Sequence, residues 1–458
     1  MSKAISIEDV PINRFHQILT AKSCGGAFVD GYVLSIIGVA LPQISFALGL
    51  STLWQSLIAM SALFGVFFGG FLGGVLTSRL GRKIVFFIGP IIFLICSIAQ
   101  VWSDSGMSLA IWRFIIGIGV GIEYPVATAF LVEFLPKTHR AQRLAMLTIS
   151  WFAGASAAYV AGEVILHLSG NEGWRMVIAS TAVLSVALIA LRAGTPESPR
   201  WLVSLGRREE ARGIIKQVYG PDFDLRNLPE QQDGRKLSFG DLLHSGYGKR
   251  MFFVSMFWIC SVIPVFAVYA FAPKVLEALN LSGKWTSYGS VAITMLFVVG
   301  CVIAARLVNV LGRRKLLLHS MFWSGLCLML LGFFSHAQPA LILMMFGAYA
   351  LLIGGAQIMQ FVYPNEIFPT KIRPGAVGIG TSMSRIGAMI GIYLVPIGIQ
   401  SVGIGETMYW AAGVTFVGWL TSWFLAPETM GANLSDASSL PTGKSRLDGI
   451  NNVVADRS

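Results

Sequence analysis

The sequence predicts an all-α integral membrane protein with twelve transmembrane helices in two pseudo-symmetric six-helix bundles. Low charge, long apolar runs and an internal repeat support this fold class. Only 12% of the 458 residues are charged and 55% are hydrophobic, whereas a soluble domain carries about 25% charged residues. Apolar runs of about 20 residues alternate with short polar joints, as expected of helices that cross a bilayer. Membrane β-strands would instead alternate in polarity.

The repeat has an offset of about 230 residues, which indicates two copies of one structural unit. Three polar motifs occur in both copies: Gly81-Arg82-Lys83 with Gly312-Arg313-Arg314, Pro196-Glu197-Ser198 with Pro427-Glu428-Thr429, and Glu133, Pro136 and Arg140 with Glu366, Pro369 and Arg373. Because both copies consist of long apolar runs, the duplication indicates a membrane transporter built from two parallel halves.

The apolar runs predict twelve spans, at residues 23–48, 55–78, 84–103, 107–131, 143–167, 174–193, 252–276, 287–310, 315–334, 338–362, 375–400 and 406–426. They divide the chain into four parts. An N-terminal six-helix bundle covers 1–193, and a cytoplasmic linker with short amphipathic helices covers 194–250. A C-terminal six-helix bundle covers 251–427, and a disordered cytoplasmic tail covers 428–458.

Positive residues mark one side of the membrane. Lys and Arg gather in the joints after spans 2, 4, 8 and 10 and in the long linker, while the opposite joints hold few of them. Cytoplasmic loops carry this excess, so both termini are predicted to be cytoplasmic. These loops contain most of the net charge of +11, which therefore fits a lipid bilayer as partner and not a nucleic acid.

Two small-residue faces occur at four-residue spacing, which lets helix backbones approach closely. They are Gly65, Gly69 and Gly73 in span 2, and Gly154, Ala158 and Gly162 in span 5. Static packing and sliding against the other half explain these faces equally well.

The loop motifs resemble those of the major facilitator superfamily over nearly the whole chain. The superfamily loop between the second and third helices reads G-x-L-a-D-r-x-G-R-R/K, and residues 74–83 follow it closely. Residues 196–202 and the two Glu-x-x-Pro motifs with a following Arg resemble the sugar-porter branch. The segments around Asp30 and Arg385 resemble bacterial metabolite:proton symporters and their organic-ion transporter relatives.

This resemblance implies a secondary transporter that works by alternating access as a monomer in the bacterial inner (plasma) membrane. The sequence contains no nucleophile–base pair, metal-ligand cluster or phosphate-binding loop. We therefore predict neither an enzyme nor a metal or other cofactor.

One departure from the family concerns its loop Asp, which is replaced by Ser78 and Asn309. In the family this Asp helps to hold the cytoplasmic side closed. We predict that three ion pairs carry more of the clamp here: Glu133/Arg140, Glu197/Arg200 and Glu366/Arg373. The alternative is that they are surface pairs of little energetic worth. The candidate gating residues are Arg79, Arg82, Glu133, Arg140, Glu197, Arg200, Arg313, Arg314, Glu366 and Arg373.

Ionisable residues within the spans are costly to insert and are therefore the first candidates for function. Asp30 in span 1 is a candidate for proton coupling or for binding a substrate ion; the alternative is a structural carboxylate. Glu123 in span 4 fits protonation or substrate binding, and the alternative is a pair with Arg113 or another buried cation. Arg385 in span 11 stays charged and can bind a carboxylate through two hydrogen bonds. Its alternative role is permanent neutralisation of Asp30 or Glu123.

Aromatic and amide side chains complete the predicted site, because small-molecule sites combine apolar walls with a few polar groups. The candidates for lining the central cavity are Tyr32, Tyr124, Trp151, Tyr159, Trp258, Phe266, Tyr269, Gln357, Gln360, Phe361 and Tyr393. The Q-Q-x-S-G run of hexose carriers is absent from span 7, which reads Ser261-Val-Ile-Pro264-Val-Phe266. This difference argues against a glucose-like substrate.

The predicted function is proton-coupled symport of a small organic anion, such as an aromatic or pyridine-type carboxylate. The main alternative is an organic cation, which the two acids could hold with an aromatic cage. A sugar-like metabolite is a further alternative, and a non-transporting receptor on the same fold is a remote one. Arg385 distinguishes anion from cation, since a guanidinium locked to a carboxylate would not bind an anion.

Overall fold

A computed structural model describes residues 6–228, 247–278, 284–368 and 373–430 of the chain. Within these ranges the protein is helical and contains no β-strand. The N-terminal half contains α1 (Arg14–Ala47), α2 (Thr52–Leu80), α3 (Arg82–Ala99), α4 (Gly106–Phe134), α5 (Lys137–Ser169) and α6 (Gly173–Arg192). The short helices α7 (Pro199–Ser204) and α8 (Arg208–Tyr219) follow.

The second half repeats the arrangement. It contains α9 (Gly248–Ala278), α10 (Lys284–Leu311), α11 (Arg313–Phe333), α12 (Pro339–Leu352), α13 (Gly354–Ile367), α14 (Arg373–Ser401) and α15 (Ile404–Leu425). The helices α12 and α13 together form one span, from Pro339 to Ile367. Most of the predicted tail, residues 431–458, lies outside the described residues, as does part of the predicted linker.

Eleven helical segments in the described ranges are long and apolar enough to cross a membrane. The twelfth predicted span corresponds to α15, which has 22 residues. It packs against α9 and α11 of its own half.

The first helix begins nine residues earlier than the sequence predicts, at Arg14. Asn13 caps it: the Asn13 side chain accepts a hydrogen bond from the His16 backbone N–H at 2.9 Å, and the His16 ring accepts one from the Asn13 backbone N–H at 3.2 Å. Such a reciprocal cap satisfies backbone donors at a helix start. Hydropathy alone misses this polar first turn because the turn lies outside the apolar run.

The small-residue faces pack within the N-terminal half. A Cβ added at Gly69 would collide with the Ile118 backbone on α4, so the backbones of α2 and α4 are in close contact. A Cβ at Gly154 on α5 would likewise collide with the Phe28 backbone on α1. Both faces therefore join helices of the same half, which favours static packing over sliding against the other half.

The two halves meet along two pairs of helices, α2 with α14 and α5 with α10. The Ser382 hydroxyl on α14 lies 3.5 Å from the Phe67 carbonyl oxygen on α2. On the other side, the rings of Phe152 and Phe297 are stacked, with centroids 5.7 Å apart. These contacts surround a central cavity between the halves.

The N-terminal segment and the short helices form a layer below the first half. The backbone N–H of Ile7 donates to the Asn227 carbonyl at 3.0 Å, and the Asn13 side chain donates to the Val218 carbonyl at 2.8 Å. The apolar face of α8, which includes Ile215, is buried against protein. This face therefore packs against the protein and not against the surface of the bilayer.

Candidate substrate-binding and proton-coupling site

A cavity lies between the halves, lined by α1, α4, α5, α9, α13 and α14. The space between the helices of a bundle is a common place for a small-molecule site. Nine of the residues singled out in the sequence contribute to its lining: Asp30, Glu123, Tyr124, Trp151, Phe266, Gln357, Gln360, Phe361 and Arg385. Small and hydroxyl residues, such as Ala27, Thr128 and Thr148, complete the wall.

Arg385 is the cation of this cavity and is only 4% exposed. Its Nε and Nη1 have no hydrogen-bond partner among the described residues. The guanidinium carbon lies 4.9 Å from the Phe266 ring centroid and 5.7 Å from that of Tyr124. Ring faces stabilise a cation but leave its N–H donors unused. A carboxylate from the cavity could therefore accept two hydrogen bonds from Arg385.

Asp30 provides the opposite charge and is 1% exposed. Its Oδ1 has no hydrogen-bond partner in the described part of the chain. The next residue, Gly31, lies so close to α5 that a Cβ would collide with the Trp151 carbonyl oxygen. This close crossing holds Asp30 beside the cavity. A buried carboxylate without a fixed partner is a natural proton acceptor, because protonation removes a costly charge.

Glu123 has a different environment from Asp30. Its carboxylate forms an ion pair with Arg192 at the end of α6, and both side chains are at most 1% exposed. Arg192 also donates to the Phe86 carbonyl oxygen, and its guanidinium lies 3.6 Å from the Phe86 ring centroid. Of the roles weighed for Glu123, pairing with a buried cation is the one seen here. That cation is Arg192 and not Arg113, whose guanidinium donates to the Val33 carbonyl.

Two aromatic pairs form walls of the cavity, and each pair joins the two halves. The rings of Tyr124 and Phe361 are stacked, with centroids 6.1 Å apart. The rings of Trp151 and Phe266 are 5.6 Å apart and tilted by 52°. A flat, partly apolar ligand therefore suits the space beside Arg385, since ring faces favour offset stacking with other rings.

Four predicted lining residues lie elsewhere. The Tyr32 hydroxyl is 2.6 Å from that of Ser180 on α6, because a helical residue two positions from Asp30 points to nearly the opposite side. Tyr159 lies about 10 Å beyond the cavity wall along α5. Trp258 packs edge-on against Phe361 and backs the wall. Tyr393 is 38% exposed, one helical step from the inward-facing Ile392. The Tyr269 side chain lies outside the described residues.

The two glutamines are already engaged with one another and with α9. The Gln360 side-chain amide donates to Gln357 Oε1 at 2.7 Å and to the Ser261 hydroxyl at 3.1 Å. The Gln357 amide donates to the Ser261 carbonyl at 3.2 Å. These contacts use amide donors that a sugar hydroxyl would otherwise need.

Of the three pairs predicted for the cytoplasmic clamp, Glu133/Arg140 and Glu197/Arg200 are wrong, whereas Glu366/Arg373 stays a prediction. Glu133 binds Arg82 at 2.7 Å, and Glu366 binds Arg313 at 3.0 Å. Each pair joins two helices of the same half. The first joins the start of α3 to the end of α4, and the second joins the start of α11 to the end of α13. The predicted partner Arg373 has a side chain outside the described residues.

Glu197, the predicted partner of Arg200, instead caps the N-terminus of α3. Its carboxylate accepts hydrogen bonds from the backbone N–H groups of Arg82 at 2.9 Å and Lys83 at 3.1 Å. Glu428 repeats this cap on α11, accepting from the backbone of Arg313 at 3.0 Å and Arg314 at 3.1 Å. An anion is favourable at a helix N-terminus, where free N–H groups and the helix dipole both attract it.

Arg140 and Arg200 both form ion pairs with Glu8, a partner that the sequence did not indicate. Glu8 lies 3.1 Å from Arg140 and 2.7 Å from Arg200. Burial alone would raise the pKa of the Glu8 carboxyl, but the two arginines outweigh it and hold the pKa below its usual value. Their gating role remains a prediction. Of the other candidates, Arg79 is exposed and Arg314 also donates to the Trp423 carbonyl. The side chains of Ser78 and Asn309 lie outside the described residues.

Two repeated halves of membrane-length helices around a charged cavity fit the major facilitator fold that the sequence predicts. The chain belongs to the family described as Sugar (and other) transporter, which matches residues 14–440. It is therefore a multi-pass membrane transporter of the metabolite or sugar class and not an enzyme.

Two curated relatives and one solved structure illustrate the similarity. The putative metabolite transport protein YaaU of Escherichia coli (strain K12) is 34% identical over 98% of this chain and all of its own length. The inner membrane metabolite transport protein YgcS of the same organism is 32% identical over 95% of this chain and 97% of its own. The structure of the proton:xylose symporter XylE superposes with a TM-score of 0.76 at 21% identity, covering 92% of this chain and 98% of XylE.

Proposed function

We propose that this transporter carries a small aromatic or pyridine-type monocarboxylate together with protons, by alternating access and with both termini in the cytoplasm. One observation carries the proposal: Arg385 faces the cavity, and two of its nitrogens lack partners in the described part of the protein. An arginine locked to Asp30 or Glu123 would have favoured an organic cation. The unpartnered guanidinium favours an anion.

The charges of the site support proton coupling. The Glu123–Arg192 pair is neutral as a unit, which leaves Asp30 and Arg385 as opposite charges at the cavity. A carboxylate bound to Arg385 would add a negative charge beside Asp30 in a desolvated space. Protonation of Asp30 restores neutrality, and a net buried charge is strongly unfavourable. Binding of the anion should therefore be linked to binding of a proton.

A sugar-like metabolite is the second candidate, because the similarly folded XylE is a proton:xylose symporter. The paired amides of Gln357 and Gln360 and the aromatic walls favour a flatter and less hydroxylated ligand. The two candidates differ in what Arg385 must do. A sugar carries no charge for it, whereas a carboxylate depends on it.

The test is ligand binding by the purified protein, measured as thermal stabilisation, which follows mass action. The compounds are benzoate and nicotinate, their uncharged amides benzamide and nicotinamide, choline, and xylose. We expect stabilisation by the carboxylates alone, stronger at acidic pH because Asp30 must bind a proton. Stabilisation by choline or xylose without any effect of the carboxylates would overturn the proposal.

Variants of Arg385 test its role directly. Loss of one partner of a buried charge-assisted contact costs about 2 kcal/mol or more, so Arg385→Ala should weaken carboxylate binding by about 30-fold or more. Arg385→Lys should recover only part of this loss, because an ammonium lacks the planar fork of the guanidinium. Normal affinity in both variants would show that Arg385 does not bind the anion.

A further inference from the structure

A second, smaller pocket lies beyond the central cavity. Leu34 and Ile37 of α1 line it, one to two turns past Asp30 in the direction away from the N-terminus. Leu63 of α2 and Ile392 of α14 contribute further apolar wall. With the termini in the cytoplasm, this pocket lies on the outer side of the central site, and we call it the outer pocket.

Trp151 and Phe266 line both the central cavity and the outer pocket. Their rings are in contact, with centroids 5.6 Å apart, and both residues are 7% exposed. Trp151 belongs to α5 of the first half and Phe266 to α9 of the second half. We infer that the contact between Trp151 and Phe266 is the barrier that closes the central cavity toward the outer side.

Each ring is held by its own half, while the contact between the rings crosses between halves. The Trp151 backbone is fixed against α1, since Gly31 leaves no room for a Cβ beside its carbonyl oxygen. The Phe266 ring packs against the guanidinium of Arg385, whose carbon lies 4.9 Å from the ring centroid. Rocking of one half against the other would therefore separate the two rings and join the two pockets.

Phe297 on α10 provides a matched control. Its ring stacks on Phe152 of the other half with centroids 5.7 Å apart. Phe297 lines neither the central cavity nor the outer pocket. Its removal breaks an interhalf aromatic contact of similar kind without joining the two pockets.

The experiment follows a cysteine in the central cavity, Thr148→Cys, in a background where Cys24, Cys96, Cys260, Cys301 and Cys327 are replaced. A membrane-impermeant maleimide is added to intact cells, and the rate of labelling is measured. Trp151→Ala and Phe266→Ala should each increase this rate between about threefold and tenfold, the change expected from losing one aromatic pair. Phe297→Ala should leave it unchanged.

Permeabilised cells show whether each variant is folded, because the same cysteine should then be labelled in all of them. A variant that fails this check is replaced by the milder Trp151→Phe or Phe266→Leu, with a smaller increase expected. Two results would overturn the inference. One is an unchanged rate in folded Trp151 and Phe266 variants, and the other is an equal increase in Phe297→Ala.

Discussion

The buried ion pair between Glu123 and Arg192 allows the sharpest prediction about stability. Both side chains are almost completely buried, and Gly26 and Gly89 leave the room that the pair occupies: a Cβ at Gly26 would collide with both partners, and one at Gly89 would lie 2.9 Å from the carboxylate. Removing one partner leaves the other as an uncompensated buried charge. Such a change costs about 3–5 kcal/mol.

We therefore expect Arg192→Met and Glu123→Leu each to lower the free energy of unfolding by about 3–5 kcal/mol. The double variant removes both charges and should recover most of that loss, because an apolar pair of similar volume needs no desolvation of charge. The coupling energy between the two sites should exceed about 2 kcal/mol. Equilibrium unfolding in mixed SDS–detergent micelles measures all four states of this cycle.

Arg385→Met is the matched control. Arg385 is also a buried arginine, but no carboxylate forms an ion pair with it in the described part of the chain, and Asp30, the charge that remains at the cavity, can be neutralised by a proton. Its loss should leave the protein equally or more stable. Single changes at Arg192 or Glu123 that cost less than about 1 kcal/mol, or effects that simply add, would show that the pair does not lock α4 to α6.

Two further predictions concern the first half. Glu8→Gln should reduce stability by about 0.5–1 kcal/mol at neutral pH, since the Glu8 side chain is 26% exposed and solvent partly screens its two ion pairs. Because the folded-state pKa of Glu8 is lowered from 4.5, its contribution is present above that pH and disappears as pH falls through the lowered value. Unfolding at several pH values measures this contribution, with Glu210→Gln, at an exposed position, as the control. A stability difference between the parent protein and Glu8→Gln that persists in acid would contradict the prediction. Gly154→Ala should destabilise the protein strongly because its Cβ would collide with the α1 backbone, whereas Gly74→Ala has open space and should be tolerated. Thermal unfolding compares the two variants. Equal stability would contradict the close contact between α1 and α5.

The sequence was sufficient to predict the fold because hydropathy and the repeat report on every span at once. It also indicated Asp30 and Arg385, the two charged residues at the cavity that have no ion-pair partner in the described part of the chain, since a charge within an apolar run is conspicuous. The charge on Arg192 gave no such signal. It lies at the end of a span, where a basic residue normally marks the cytoplasmic side, and only the folded structure shows its side chain turned toward Glu123.

The ion partners of the loops were missed because pairing depends on tertiary proximity and not on the motif that contains the residue. Glu8 is 132 residues from Arg140 in sequence and precedes every predicted span. The aromatic residues show a different limit. One residue along a helix turns a side chain by about 100°, so a boundary uncertain by a few residues cannot show that Ile392 faces inward and Tyr393 outward.

The most direct test of the proposed mechanism is proton uptake on ligand binding. The purified protein is mixed with benzoate in weakly buffered solution containing a pH indicator, near neutral pH where a free carboxylate is ionised. We expect uptake of about one proton per benzoate bound, and none in Asp30→Asn, which should still bind benzoate through Arg385. Binding of benzoate without proton uptake in the parent protein, or equal uptake in Asp30→Asn, would contradict it.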